Sequence, residues 1–511
     1  MDAINKNPAT GAAICAASTK IQQVENPAEG TRFLQIEAKT SEPTAASRTK
    51  HKLTRVAFRV SRLMEFCSLK ELQNQTGHAF YHWPLVVLKE LFDNALDACE
   101  EAEVAPIIEV VVGSGFIAIS DNADGIAAET IRAILDYHVR VSSREAYVSP
   151  TRGAQGNALK TIVAMAYVLD REAGQDGVKS DAMGVTVIES RGIQHRIEFR
   201  VDHVNNEPII LHTTTPCART VGTKVTIEWP SSNGLLKNAE PQFKYLTQSY
   251  VFFNPHLTLR GLWYDEPFVD IKATNPNWRK WGPRDPTSPH WYNEGRLQRY
   301  LAAHVARDRD LGRDRTVREF VAEFRGLTAT AVQRKILAEV GCSHQSLRQF
   351  FGTNQVNREG IAKLLVAMKQ HSKPVNPKHL GIIGADHLRA CFLAAGGNAE
   401  TFKYEQRKGL TENGIPYLIE FAFGLHQSGL EERLTRTRQI VTGANWSVSL
   451  GNPFRNFGST GEGLETTLTK VRANTTDPVV CALHLASAYV QYADRGKSSI
   501  ILTDNARQPD D

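Results

Sequence analysis

Cysteine is scarce in this chain. The seven present, at positions 15, 67, 99, 217, 342, 391 and 481, lie far apart and form no C-x-x-C pair. Such spacing argues against a zinc ribbon and a disulfide framework, and for a reducing, cytoplasmic compartment. Long hydrophobic runs are missing as well. Ile162–Leu169, at the end of "PTRGAQGNALKTIVAMAYVL" (150–169), is far too short to cross a bilayer, so no membrane partner is expected. The N-terminal "GAAICAAS" is short and follows Asp2, which argues against a signal peptide. No large charge excess exists: the net charge is +5, which permits nucleic acid without demanding it. A P-loop is also lacking. Lys160–Thr161 has Leu159 and Ala154 where that motif requires glycines.

What is present describes a soluble globular protein, with 41% hydrophobic and 23% charged residues, and 511 residues imply two to four domains. Residues 1–52 read as a flexible extension with a basic end. Its boundary overlaps "RTKHKLTRVAFRVSR" (48–62), a solvated arm or a polyanion contact. Residues 84–103 carry Leu85, Leu88, Leu91, Ala95 and Ala98 at helical spacing behind Pro84. "IIEVVV" and "FIAIS" around "GSG" predict a β-hairpin, and a helix is expected near 128–138. Four further strands follow, in "GVTVIES", "HRIEFRV", "PIILHTT" and "TKVTIEW". An α+β sandwich is expected, with helices on one face of a mostly antiparallel sheet. Residues 264–292 read as a connector and 293–395 as helical, with the mixed-charge run 307–315 as a solvated face. Strands return with "IPYLIEFAFGL" and "ALHLASAYVQY".

Glu90, Asn94 and Asp97 stand at i, i+4 and i+7 and share one helix face. Two carboxylates and an amide oxygen suit Mg²⁺, and a carboxylate there suits the orientation of an attacking water. Taken alone, an ordinary solvated face explains the pattern better. In "ISDNADGI" (119–126), Asp121 ends an apolar strand and Gly125 sits in the turn beyond. Such a carboxylate can accept from an exocyclic amine such as adenine's, and glycine admits a flat ring; a plain turn reads the same way. Gly153 and Gly156 loosen the chain before a helix whose first turn holds Lys160, a general anion site. Gly222–Thr223 leads into a strand.

The order E-x-x-x-N-x-x-D, D-x-x-x-G, R-G-x-x-G before a helix, and G-T on a strand resembles the GHKL ATPases. Within them, "LKELFDNALDACEEA", "RVSSREAYVSPTRGAQGNALKTI", "FFNPHLTL", "PVNPKHLGIIGADHL" and "PYLIEFAFGL" resemble segments of the family of topoisomerase VI B subunits, in the family's order, over about residues 55–500. The resemblance implies a GHKL (Bergerat) ATP-binding domain at 53–275, a connector and helix-two-turns-helix-like domain at 276–395, and a transducer-like α/β domain at 396–511. It implies ATP and Mg²⁺ as cofactors. Glu90 would be the general base and Asn94 the Mg²⁺ ligand, supported by Asp97. Asp121 and Gly125 would receive adenine, with Thr223 completing that pocket. Gly153, Gly156 and Lys160 would hold phosphates, and Lys497 in "YADRGKSSI" would reach the γ-phosphate; it reads equally as a solvated lysine after a turn.

Implied too are an ATP-dependent homodimer, a clamp on double-stranded DNA, and a topoisomerase VI A-like (Spo11-like) cleaving subunit supplied separately. Ala123 and Ala158 depart from glycines usual in these boxes, and the residues after Ile501 leave no room for the family's stalk helix. The second departure favours an alternative, a GHKL switch in a defence or mobile-element system with a protein partner. A non-hydrolysing scaffold is a third reading, against which Glu90 and Asn94 argue. The lack of a phosphoacceptor-helix dimerisation segment before the ATP-binding region argues against a histidine kinase.

Overall fold

The computed structural model describes residues 68–135, 147–153, 158–172, 181–202, 207–230, 234–352, 355–427, 438–456 and 461–501. All fall within the unit Val60–Asp511. The extension at 1–52, the basic stretch at 48–62 and Gly156 lie outside the described residues.

Helix α1 (Leu69–Thr76) starts at Ser68, whose hydroxyl accepts the Glu71 N–H. Helix α2 (Trp83–Glu101) places Pro84 in its first turn, where no intrahelical N–H is needed. The predicted hairpin forms as β1 (Ile107–Gly113) and β2 (Phe116–Ser120). Next come α3 (Ala128–Leu135), α4 (Ala158–Arg171), β3 (Gly184–Ser190), β4 (Ile193–Asp202), β5 (Glu207–Pro216) and β6 (Thr223–Glu228). Then follow α5 (Leu235–Asn238), α6 (Glu240–Phe253), β7 (Thr258–Trp263) and β8 (Glu266–Ile271). One eight-stranded sheet results, in the order β5-β4-β3-β6-β2-β1-β7-β8. Only the β1–β7 pairing is parallel among its described strands. Strand β8 lies inside the expected connector; its Pro267 is tolerated because the strand is at the sheet edge.

Helix α4 is apolar all round, and Ile162 to Leu169 are all buried, as a helix enclosed on every side must be. Its backbone presses onto β3 at Gly184, where a Cβ would lie 2.1 Å from the Tyr167 nitrogen.

The helical segment holds α7 (Glu294–Asp310), α8 (Val317–Ala322), α9 (Thr330–Val340), α10 (Leu347–Phe351), α11 (Arg358–Gln370) and α12 (Ala385–Ala394). The first five surround a core of Trp291, Leu297, Phe320, Ile336 and Leu364. The run 307–315 is not simply a solvated face. Asp308 and Arg315 are buried and paired at 2.7 Å, because the chain folds back after α7 with Arg313 N–H on the Asp308 carbonyl.

A second sheet, ordered β12-β11-β13-β10-β9, comprises β9 (Lys403–Leu410), β10 (Pro416–Leu425), β11 (Gln439–Ala444), β12 (Ser447–Val448) and β13 (Val479–Ser487). Strand β13 ends at Ser487 and does not continue through Tyr492; Ser487 Oγ accepts the Tyr489 N–H and turns the chain out. Residue alternation divides its two faces. Leu418, Ala422, Ala482 and Ala486 join the core containing α2 and α6, while Leu483 and Leu485 pack with Leu464 and Leu468 of α13 (Leu464–Lys470). The α+β class, with a sheet, a helical segment and a second sheet in chain order, is as expected.

Candidate nucleotide site

Helix α2 carries two polar stripes. On one, Glu90 and Asp97 are half-buried and Asn94 is exposed. The other, Lys89, Asp93 and Glu100, is turned into the protein. Lys89 Nζ donates to Asp93 Oδ2 at 2.7 Å and also to Ser447 Oγ. The Ser447 hydroxyl donates to Asp93 Oδ2 at 2.7 Å, and Tyr250 OH donates to Asp93 Oδ1 at 2.9 Å. Burial opposes ionisation of Asp93, but Lys89 and Arg152 outweigh it and hold the carboxyl below the ordinary range. Lys89 and Asp93 of this second stripe fasten α2 to Ser447 of the second sheet, while Asn94 on the first stripe stays exposed.

Asp121 closes β2. Its Oδ1 accepts the N–H groups of Ala123 at 2.9 Å and Thr223 at 3.1 Å, while Oδ2 accepts nothing from the described residues. Burial pushes its carboxyl above the usual range despite those two bonds. Thr223 is buried and its carbonyl accepts the Asp121 N–H at 2.9 Å. Gly222, at φ +75°, makes this approach possible: a Cβ there would stand 1.9 Å from the Asp121 carbonyl oxygen. Gly125 lies against the same group, its Cβ position 3.1 Å from the Gly222 carbonyl. Asp121, Gly125 and Thr223 therefore meet, although over a hundred residues separate the first from the last. The Cys99 thiol, at 3.3 Å from Asn122 Oδ1, ties this group to the end of α2; burial and the Asp121 charge push that thiol up to about 12.

The segment before the glycine loop is fixed by Arg152, whose side chain is wholly buried. Its guanidinium donates to Asp97 Oδ1 at 2.7 Å, to both Glu100 oxygens at 2.6 and 2.7 Å, and to Asn254 Oδ1 at 2.7 Å. Glu100 also takes Lys280 at 2.9 Å and His256 at 3.1 Å. Burial resists its charge, but Arg152, Lys280 and the His256 bond hold its carboxyl well below the usual range. Lys497 Nζ donates to the Arg152 carbonyl at 3.0 Å. Asp97, Lys497 and the residue preceding Gly153 are thus gathered at one point. Gly153 is exposed, with open space where a Cβ would be. Lys160 is buried in the first turn of α4.

The hairpin β11–β12 turns through Asn445 and Trp446, both at positive φ (50° and 63°). Asn445 Nδ2 donates to the Thr151 carbonyl at 3.3 Å. The Trp446 carbonyl accepts from Asn254 at 3.0 Å and from Arg152 Nε at 3.4 Å, and Lys280 Nζ lies 4.7 Å from the indole centroid. Trp446 N–H donates to His484 Nε2 at 2.9 Å. That bond needs a neutral imidazole, and burial pushes the His484 pKa down to about 3.

No protein-family model matches the sequence. Among curated proteins, the B subunit of type 2 DNA topoisomerase 6 from Archaeoglobus fulgidus is 25% identical over 443 residues, covering 81% of this chain. The chain resembles the B subunit of topoisomerase VI. It spans 66% of that relative's length, just under two thirds. The corresponding B subunit of Metallosphaera sedula is 24% identical over 444 residues, 81% of this chain and 74% of the relative. The ATPase region of Saccharomyces cerevisiae topoisomerase II is similar at a TM-score of 0.36 and 10% identity, over 82% of this chain and 76% of that one. The family resemblance read from the motifs accords with the two B-subunit relatives.

Sequence reasoning did not find Arg152, Glu100, Lys280, Lys89 or Trp446. Arg152 stands within the R-G-x-x-G motif, but one arginine before a glycine has no periodicity to mark it. Lys89 and Asp93 look like a solvent-facing i, i+4 pair, and nothing local signals that Ser447 covers them.

Proposed function

We propose that this chain binds ATP with Mg²⁺ and hydrolyses it, as the ATP-binding subunit of a type II-like DNA topoisomerase. One observation carries the reading. Lys497, singled out by family resemblance alone, lies 3.0 Å from the carbonyl of the residue that precedes the glycine loop, more than three hundred residues away in sequence. The residue chemistry fits the cofactors. Asp121 keeps one carboxylate oxygen open for an exocyclic amine, and Gly153 has open space where a Cβ would stand. Among the described residues no cluster of three or more His, Cys, Asp or Glu could hold a metal by itself. Mg²⁺ that arrives with phosphates needs only one or two protein oxygens, here Asn94 with Glu90 nearby on its helix face.

In this reading, Mg²⁺ neutralises phosphate charge when bound. Asp121 accepts from the adenine amine, and Gly125 and Thr223 shape that pocket. Gly153, Gly156 and Lys160 receive the phosphates. Glu90 takes the proton of the attacking water, and Lys497, placed beside the Arg152 carbonyl, donates to a phosphate oxygen. The bound state closes a homodimer around double-stranded DNA, with a separate Spo11-like subunit doing any cleavage. The deciding experiment measures Mg²⁺-dependent phosphate release by wild type, Glu90→Gln and Lys497→Met. Wild-type turnover lost in Glu90→Gln with nucleotide binding intact is expected. Equal rates in wild type and Glu90→Gln would remove the base assignment.

A further inference from the structure

Resting on the nucleotide reading above, we propose that Arg152 is a positioning residue: it clamps the start of the glycine loop to α2 and to the Asn445–Trp446 turn, and so sets where Lys497 stands relative to a terminal phosphate. Three observations converge. The guanidinium uses its planar fork on Glu100 while also binding Asp97 and Asn254, so its plane and position are fixed by two residues of α2 and by the residue that follows α6. Its main-chain carbonyl is the acceptor of the Lys497 ammonium. The next residue back, Thr151, is held through its carbonyl by Asn445, so the second sheet grips the same short segment twice.

A wholly buried arginine is expensive to maintain, and here its two carboxylates, Asp97 and Glu100, come from the helix that also carries Glu90 and Asn94. Movement of the loop start would therefore carry the Lys497 acceptor with it, and movement of α2 would carry Asp97 and Glu100. Arginine is required for this because a lysine ammonium cannot span two carboxylates and an amide in one plane. Arg152 touches no nucleotide in this proposal; it acts through Lys497.

A positioning role separates from a merely structural one by what the variant discriminates. ADP lacks the terminal phosphate that Lys497 would reach, so Arg152→Lys should leave ADP affinity within about threefold while lowering affinity for a β,γ-imido ATP analogue by about 10-fold, the size of one charge-assisted hydrogen bond. The double variant Arg152→Lys/Lys497→Met should discriminate no worse than Lys497→Met alone, because the two residues act as one unit. Circular dichroism checks the fold. If Arg152→Lys does not fold, Asn445→Gly carries the test: it keeps the left-handed turn, deletes the bond to Thr151, and should lower analogue affinity more than ADP affinity. Wild type that binds neither nucleotide overturns the nucleotide reading itself. Wild type that prefers the analogue, with a folded variant that keeps that preference or a double variant whose losses simply add, overturns this proposal alone.

Discussion

Asp121 has one oxygen committed and one open, and its behaviour with pH follows from that. Burial raises its pKa, so in the free protein the acid form persists to higher pH than for an ordinary carboxylate. An adenine amine needs the ionised acceptor. Nucleotide affinity should therefore rise as pH climbs through the raised value and be lost as pH falls through it, while Asp121→Asn should bind weakly and without that dependence. Calorimetric titration across pH checks this, and a wild type with equal affinity for ATP and GTP would exclude adenine reading by Asp121. For Glu90, replacement by Gln should cut turnover by about 10²–10⁴-fold and spare binding. The residues legible in the sequence were those with an ordered partner: Asp121, Gly125 and Thr223 recur in a fixed order of short motifs, and they do meet. Arg152, Lys280 and Glu100 were illegible because a buried charge is recognised only by what surrounds it, and those surroundings come from positions 97 to 446.

Among elements, α2 follows its periodicity, burying Leu85, Leu88, Leu91 and Ala95 with Ala98 half-buried, and β1, β2 and β10 form where their strand patterns lie. Turns were harder to read. The Asn445–Trp446 turn has the two-residue form with both φ positive, which Asn accepts readily and Trp does not. A left-handed tryptophan costs about 1–3 kcal/mol and persists only where its surroundings fix it. Here they do: the indole is fully buried, and its backbone binds His484, Asn254 and Arg152. Trp446→Gly should relieve the strain yet lose the buried ring, typically worth about 3–5 kcal/mol on truncation, for a net destabilisation of about 2 kcal/mol in urea titration. A variant more stable than wild type would show that the ring contributes little. Gly222→Ala is the sharper case. Its methyl would collide with the Asp121 carbonyl at 1.9 Å, so that variant should lose nucleotide binding together with stability, read by melting and titration of the same sample.

For the whole molecule, the resemblance to topoisomerase VI B subunits leads to an expectation about assembly. A non-hydrolysable ATP analogue should convert monomer to dimer in sedimentation. That dimer should bind duplex DNA with a log–log salt slope of roughly −0.9 per phosphate neutralised. With a net charge of only +5, low salt is the fair condition. A chain that stays monomeric with saturating analogue is not a clamp, and a dimer indifferent to DNA at low salt points to a protein partner instead. The clasp around Arg152 also governs how the chain can be divided. Its carboxylates and Asn254 lie before residue 255, whereas the Trp446 carbonyl and the Lys497 ammonium come from the far end. A fragment stopping near residue 275 would bare the apolar side of α6 and leave Lys89 and Asp93 without Ser447. Made alone, it should precipitate; made together with the remaining half, it should return as a soluble pair. A pair that stays insoluble when both halves are made together would show that the seam between the two sheets does not hold by contact alone.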